Sequence, residues 1–468
     1  MNSDKNSLIS WSNIIVSKEF QIILDTECLK EASLVSKLVR EKLKPILFKY
    51  IAISEHNLTF TNDPKFNEFF IFLFKFPLIY IIPSQFGRIG KNINIEGRIS
   101  NIYKTLNCAK FAKSFYLEDV GRGGLYLFQI ASKLDNLTTL KLRLCSIQYS
   151  DISKIGVTLP SLKRIELTNV YFVRSPSDNI SPGDFIFPSK LYRLEMFFCK
   201  VINNELMLDP YQFIFSSEFA HATHNDFRLP KNSVPSLKSL TYYTDDTFNI
   251  GLLEFLKINP NLESLKIDNF NYILSNVFNN LKSFGFNLLP NPNINYPFPT
   301  LNSILNLNID IIAVVYLEDI KRICSSCPNL EHLYFEMSRH KKFQILINNY
   351  IEPIIFNMIK LKTFKLVFKS SWYIISDNFI HDGSQADDNF LGGLDISKLS
   401  NVKTLILEAD SLAILNLNFA NSKALKEVVL YCPEEKINTQ DFINKFNGYS
   451  NWKFKFCENT IKGYKISN

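Results

Sequence analysis

The stretch SLKSLTY at 236–242, followed by NLESLKI at 261–267, decides the fold. Both read apolar-x-x-apolar-x-apolar, through Leu237, Leu240 and Tyr242 and then Leu262, Leu265 and Ile267. The step from 237 to 262 is 25 residues, and it recurs from Leu137 in NLTTLKL (136–142) to Leu162 in SLKRIEL (161–167). Two equal steps with the same internal spacing identify a repeat rather than isolated apolar strands. The last two apolar residues of each phrase sit two apart, on one face of a short strand. The first packs where the chain turns into that strand.

Further copies lie on both sides. KLYRLEM (190–196) falls between the two pairs, and NLKSFGF (280–286), NLEHLYF (329–335), KLKTFKL (360–366), NVKTLIL (401–407) and ALKEVVL (424–430) follow. Degenerate copies are read at Ala112-Phe115-Leu117 and Ile304-Leu307-Ile309. Segments between phrases, such as DISKIGV and GLLEFLKI, carry helical spacing and return the chain for the next strand. One such unit leaves its apolar face uncovered, so the units must stack to bury it.

Pro-Ser-Leu or Pro-Asn-Leu leads into the strand in LPSL, VPSL, NPNL and CPNL, and Cys145 and Cys199 each stand three residues after the last apolar position. These features resemble the cysteine-containing subclass of leucine-rich repeats over roughly residues 110 to 432; the strict Asn of other subclasses is absent. The resemblance implies an α/β solenoid: a curved parallel sheet with helices or irregular turns on the convex side and a buried Cys in the turn leaving the strand. Insertions rich in Gly, Ser, Pro and Asp at 169–190, 199–234 and 369–398 are expected loops.

Residues 8–53 differ. Leu29, Ala32, Leu34, Val35, Leu38 and Val39 give a helical stripe, and Pro45 is expected to start or kink the next segment, PILFKYI. The phrase LVSKLVREKLKPILF (34–48) resembles an F-box, the helical module that docks on the Skp adaptor of cullin–RING ubiquitin ligases. It departs from that family in lacking the Leu-Pro opening, with Ser10-Trp11-Ser12 in its place, and in having Val39 where Trp is common. The resemblance implies adaptor contact through Leu34, Val35, Pro45, Leu47 and Phe48. The expected organisation is an F-box-like helical module over 1–55, a connecting and capping segment over 56–110, and the solenoid with a C-terminal cap over 111–468.

The bulk numbers fit. At 468 residues, 46% apolar and 21% charged, the chain is a folded protein long enough for a repeat array. Phe is abundant, at 41 residues, and Ile and Asn are conspicuous, but this composition names no function. The net charge of +7 comes from Lys and Arg scattered among acids, with only Arg339-His340-Lys341-Lys342 clustered, so no nucleic-acid partner is expected. The eight Cys show no disulfide framework and predict a reducing compartment, cytoplasm or nucleus. The polar start MNSDKNSLIS does not read as a signal peptide. The run Phe69–Ile82 is 14 residues long and contains Lys75 and Pro77. That is short of the about 20 apolar residues of a membrane helix, so no membrane partner is expected.

Candidate chemical sites are dismissed one by one. Cys324-Ser-Ser-Cys327 lacks a second ligand pair, and His221-x-x-His224 with Asp226 lacks a completing ligand. GRIGK at 87–91 lacks the first Gly and final Ser/Thr of a phosphate loop, and Gly121-Arg122-Gly123-Gly124 reads as a turn. Asp245-Asp246 and Asp387-Asp388 read as solvated loop charge. No catalytic residue, metal or cofactor is expected. The leading expectation is a substrate-recognition adaptor of a Skp–cullin–F-box type ubiquitin ligase, with the Skp-type adaptor, the cullin core and a substrate protein as partners. The alternative is a repeat scaffold without ligase association, its N-terminal helices a cap; an unrecognised hydrolase or transferase is the third class. Residues between the apolar strand positions are expected on the concave, substrate-binding face: Lys141, Arg143, Glu166, Phe197, Tyr243, Lys266, Asp268, Tyr334, Glu336, Glu408 and Tyr431. Their mixed charge names no partner.

Overall fold

The structure, a computed structural model, describes residues 17, 24–54, 109–175, 178, 184–203, 223–245, 250–269, 280–288, 300–310, 317–338, 351–369, 394–395, 401–409, 412–415, 417–418, 422–433 and 435–466. The segments Phe69–Ile82, GRIGK at 87–91 and Arg339–Lys342 lie outside them, as do His221, Asp246, Asp387-Asp388 and most of the three expected loops. The chain forms two compact units, Met1–Lys238 with Thr244–Asn259, and Ser239–Tyr243 with Pro260–Asn468.

In the first unit, helices α1 (Thr26–Val35) and α2 (Lys37–Leu47) precede strand β1 (Tyr50–Ser54). Then come β2 (Ser114–Gly121), α3 (Gly124–Ala131), β3 (Thr139–Gln148), α4 (Tyr149–Ser153), α5 (Ile155–Thr158), β4 (Arg164–Arg174), β5 (Arg193–Phe197), β6 (Lys200–Asn203) and β7 (Thr223–Asp226). Strands β1 to β5 pair side by side in parallel, each phrase opposite the next: Phe115, Leu140, Ile165 and Leu194 form one row and Leu117, Leu142, Leu167 and Met196 another. All eight are buried. At about 1.5–3 kcal/mol for each large apolar side chain removed from water, these rows are the main favourable term of the stack.

The second unit contains β8 (Ser239–Tyr243), β9 (Ser264–Asn269), β10 (Ser283–Leu288), β11 (Asn306–Ile309), β12 (His332–Ser338), β13 (Thr363–Lys369), β15 (Thr404–Ala409) and β17 (Glu427–Tyr431), paired in that order and all parallel. Its first apolar row runs Leu240, Leu265, Phe284, Leu307, Leu333, Phe364, Leu405 and Val428, buried throughout. A separate two-residue pair joins β14 (Leu394–Asp395) to β16 (Leu417–Asn418). Helices α6 (Ile250–Ile258, in the first unit), α7 (Leu317–Ser325), α8 (Glu352–Phe356) and α9 (Leu412–Leu415) lie between strands. The result is an α/β fold with a large, mostly parallel sheet, consistent with a leucine-rich-repeat-like solenoid. Both degenerate phrases take their place in it, through Phe115 with Leu117 and Leu307 with Ile309.

Two devices join successive repeats. The residue before the first apolar position is often Asn, and its side-chain amide reaches back one repeat: Asn136 to the Lys110 carbonyl (3.1 Å), Asn280 to Pro260 (3.0 Å), Asn329 to Asn302 (2.7 Å) and Asn401 to Phe356 (3.2 Å). Part of the Asn enrichment is therefore structural. At the far end of the strand, four repeats of the first unit place a left-handed residue two positions after the last apolar one: Asp119, Leu144, Asn169 and Phe198, with φ of 54°, 47°, 50° and 51°. Asp and Asn tolerate this conformation; Leu and Phe accept about 1–2 kcal/mol for it. The next residue is buried each time, as Val120, Cys145, Val170 and Cys199. The Cys199 thiol donates to the Leu167 carbonyl of the preceding repeat at 3.7 Å. Past this bend the chain pairs again, Cys145–Gln148 with Val170–Val173 and Tyr171–Arg174 with β6, so part of each expected loop near 169–190 and 199–234 is strand.

The N-terminal stripe is divided rather than continuous. Ser36 ends α1 in an extended conformation, and its hydroxyl caps α2 by accepting the Val39 N–H at 3.1 Å. Leu29, Val39 and Leu43 then form a small core with Leu24, Ala32, Ile46 and Leu47 packed against it, while Leu34, Val35 and Leu38 point outward. Pro45 does not start a new segment: α2 runs through it to Leu47. Its missing N–H falls in the last turn, where a single lost hydrogen bond is tolerable.

The parallel series ends at β17. An antiparallel hairpin, β18 (Trp452–Phe456) with β19 (Thr460–Lys465), covers that edge through β19, and α10 (Gln440–Asn447) brings Phe446 to within 5.2 Å of the Phe454 ring. Gly463 lets Phe454 approach, since a Cβ there would lie 2.3 Å from that ring. Covering the edge removes a template for aggregation.

Candidate functional site: the open face of the sheet

Burial alternates along the strands; in β15 it runs half-buried, buried, half-buried, buried. One face makes the core, and the other presents side chains outward. The eleven expected binding residues all occupy that second set of positions, but in two chemically different groups.

In the first unit the face is a ladder of alternating charge. Lys141 pairs with Glu166 (2.7 Å), Arg143 with Glu118 (2.8 Å) and Arg164 with Glu195 (3.4 Å); Arg164 also meets Glu166, and Arg193 meets Glu195. Lys141 lies over the Tyr116 ring at 5.2 Å, and Phe197 closes the row half-buried on β5. The charges largely satisfy one another across strands. Such partly exposed pairs give register more than energy, about 0–1 kcal/mol each.

In the second unit the face is aromatic and acidic. The Tyr243 hydroxyl donates to Asn287 Oδ1 at 2.9 Å, and Asn287 in turn donates to Asp268 at 3.5 Å. Tyr334 donates to Glu336 at 2.7 Å. Lys266 pairs with Asp310 (2.5 Å) and Lys365 with Glu408 (3.2 Å), each ammonium lying over a Tyr ring, at 5.9 Å for Tyr243 and 5.2 Å for Tyr334. Burial, reinforced by Asp310 and Asp268, pushes the Tyr243 phenol well above its usual range; burial and the bond to Glu336 do the same for Tyr334. Both remain neutral hydrogen-bonding groups at any physiological pH. Tyr431 is exposed on β17.

Several partners escaped the sequence reading. Arg164, Arg193 and Tyr116 precede or sit within phrases already recognised. Glu195 and Lys365 fall between apolar strand positions, where the same rule names them. Asp310 follows a degenerate phrase, where the signal was weaker, whereas Asn287 follows the regular phrase NLKSFGF just as Asp268 follows NLESLKI, so the same rule names it. Among the described residues the face offers hydrogen bonds, charge and aromatic area, without a nucleophile beside a base. Among the described residues no three His, Cys, Asp or Glu are grouped to hold a metal. Cys324 and Cys327 are buried, and burial pushes the Cys327 thiol up to about 12. His224 and Asp226 lie on β7, where Asp226 accepts from Thr244 at 2.9 Å. Among the described residues no helix is long and apolar enough to cross a membrane.

The five expected adaptor-contact residues fall in two places, Leu34 and Val35 at the end of α1 and Pro45, Leu47 and Phe48 at and just beyond the end of α2. Leu34 and Val35 are 72% and 73% exposed and Phe48 41% exposed; Pro45 is exposed, and Leu47 is half-buried against the helical core. Arg40 of the same phrase donates to the Ser33 carbonyl at 3.2 Å, tying α2 to α1.

The fold defines the class as an α/β array of mostly parallel, leucine-rich-repeat-like units. No family model matches the chain, and no curated protein matches it. Among solved structures it is similar to the crystal structure of a TLR13–ssRNA13 complex, with a TM-score of 0.30 and 13% identity over 73% of this chain and 49% of that one. The chain thus spans about half the length of that structure.

Proposed function

We propose that this chain is a protein-interaction scaffold that presents a substrate protein to a Skp–cullin–F-box type ubiquitin ligase and has no catalytic centre of its own. The observation that carries the reading is the apolar surface of the two N-terminal helices, where Leu34, Val35 and Leu38 stand 72%, 73% and 62% exposed beside one another in sequence. Large apolar side chains left exposed close together in sequence on a small helical pair point to a partner surface. The patch belongs to the segment that resembles an F-box, which gives the partner as a Skp-type adaptor and, through it, the cullin core. The sheet faces, polar and without a reactive set, suit a substrate protein. Cytoplasm or nucleus is the compartment in which this assembly works. The test is direct binding of the purified chain to a Skp-type adaptor by calorimetry or gel filtration, followed by capture of the cullin from native lysate; no complex with purified adaptor would end the ligase reading.

A second reading has its own support. Only Phe48 and Lys49 separate α2 from β1, and β1 is itself paired in the sheet, Ile51 opposite Phe115. Helices joined so closely to the first strand suit a cap on the repeat array, which then serves as an interaction scaffold with no ligase association.

A further inference from the structure

The lysines that look scattered in the sequence converge on one line in the second unit. In each repeat the residue after the first apolar position gives its backbone N–H to the carbonyl of its counterpart one repeat earlier. Lys362 donates to Glu331 (2.8 Å), Lys403 to Lys362 (3.0 Å) and Lys426 to Lys403 (2.7 Å), and the hairpin residue Lys465 then donates to Lys426 (2.9 Å). This fixes Lys362, Lys403 and Lys426 one strand apart, about 4.8 Å at the backbone. Lys360 and Lys423 come from the turns that lead into the same strands. The five lysines line a groove of about 540 Å³.

Glu331 is the one acid among the described lining residues, and Lys362 already engages it at 2.7 Å, holding the Glu331 carboxyl below its usual range. Lys360 donates to Asn329 Oδ1 at 2.6 Å. For the side chains of Lys403, Lys423 and Lys426, the described residues supply neither an ion pair nor a hydrogen bond. Lysines in adjacent rows concentrate positive charge along one line, a charge pattern complementary to an acidic ligand. The groove also has an apolar component: Ile359 lines it while remaining 81% exposed.

We propose that this groove is a docking site for an acidic segment of a partner protein, a run of Asp and Glu carrying one apolar side chain for Ile359. The chemistry separates it from other polyanions. Single-stranded nucleic-acid grooves combine cations with stacking aromatics, and among the described residues the lining contains no aromatic side chain. Lysines are point charges that pair with carboxylates one at a time, and among the described lining residues there is no Arg fork for bidentate capture of a phosphate. None of these residues belongs to the sheet-face set or to the adaptor-contact set, so the site stands or falls independently of the function proposed above.

The test uses the full chain and a fluorescein-labelled Asp/Glu peptide with a central Leu, read by anisotropy. Binding is expected, weakening at least about fivefold as salt rises and the Debye length falls below the lysine spacing scale. Lys403→Glu, Lys423→Glu and Lys426→Glu together should weaken it at least about tenfold. The matched control Lys453→Glu, Lys455→Glu and Lys462→Glu, with the same change in net charge on the exposed hairpin, should lose less than about threefold. Replacing the peptide Leu by Ser should weaken binding to the wild type but not to Ile359→Ser. Should the triple Glu variant melt early, the same three positions changed to Ser give the reading. Equal losses in groove and hairpin variants would overturn the site. So would tighter, groove-dependent binding of a single-stranded RNA of equal charge, or of phosphatidylserine vesicles, which would reassign the groove to those ligands. No binding of the peptide at low salt would overturn it outright.

Discussion

Ile53 stands opposite Leu117 in the same register that sets Leu117 opposite Leu142 and Leu142 opposite Leu167. The segment FKYIAI at 48–53 is therefore another copy of the repeat, and the N-terminal helices open directly onto it. Ile53 is buried, whereas Ala52 beside it is exposed. Ile53→Asp should lower the melting temperature of the array, because an unpaired carboxylate in an apolar row costs several kcal/mol. Ala52→Asp should leave it nearly unchanged. Leu265→Asp, in the first apolar row of the second unit, should behave like Ile53→Asp. Circular-dichroism melts of the three variants decide the matter; an unchanged melt for Ile53→Asp would mean that β1 is not part of the cooperative stack.

That copy was illegible for a physical reason. Its first apolar position, Phe48, is still 41% exposed at the end of α2, so it carries no burial pattern, and Pro45 reads as the start of a new segment where the helix in fact continues. By contrast, phrases such as NLESLKI announce themselves because every apolar residue in them is buried in a row of like residues. The face residues followed from the same alternation, which gave positions but not partners. Whether Lys141 meets Glu166 or a ligand depends on which residues the ladder sets side by side, and that requires the register. The lysine groove was hidden for the same reason, its lysines being up to 66 apart in sequence, from 360 to 426.

Thiol reactivity should divide the described cysteines. Cys145, Cys199, Cys324, Cys327 and Cys432 are buried, and Cys28 and Cys457 are exposed. Burial pushes the Cys199 and Cys327 thiols up to about 12, so almost no thiolate exists at pH 8. Cys28, although held above its usual range by its hydrogen bond to Asp25, and Cys457 should react with Ellman's reagent in minutes. The buried five should react only on the timescale of unfolding. Fast labelling of Cys324 or Cys327 in the native protein, located by mass spectrometry, would contradict the packing described.

Asp151, in α4, carries a pH dependence whose sign is fixed. Burial chiefly, and then Asp178, raises its carboxyl to about 6, with Lys154 opposing. A carboxyl whose folded value lies above the unfolded value of about 3.9 stabilises the fold fully only below that lower value, and the contribution is lost as pH rises through about 6. Asp151→Asn should therefore stabilise the protein at pH 7.5 by about 1–2 kcal/mol, after allowance for partial exposure. The gain should shrink towards zero near pH 4. Denaturant melts of both proteins at the two pH values check it; a gain independent of pH would assign the effect to packing instead.

The adaptor reading and the cap reading part company at Leu34 and Val35. Both side chains are more than two-thirds exposed, so Leu34→Ser with Val35→Ser should change stability by no more than about 0.5 kcal/mol per site. If the patch is the docking surface of a Skp-type adaptor, the same double change removes contact area at its centre. A loss of about 1–3 kcal/mol for such anchors corresponds to a weakening of about tenfold or more in adaptor affinity. Leu47 gives the complementary measurement. It packs against the Leu29, Val39 and Leu43 core, so Leu47→Ala should lower the melting temperature even if it also touches a partner. Calorimetry against purified adaptor and a thermal melt on each variant separate the cases. Adaptor binding lost in the Leu34 and Val35 variant, with its melt intact, supports a docking module. A wild-type chain that never binds the adaptor, together with a Leu47→Ala variant whose whole array melts earlier, leaves the N-terminal helices as a cap and the repeats as a scaffold outside the ligase.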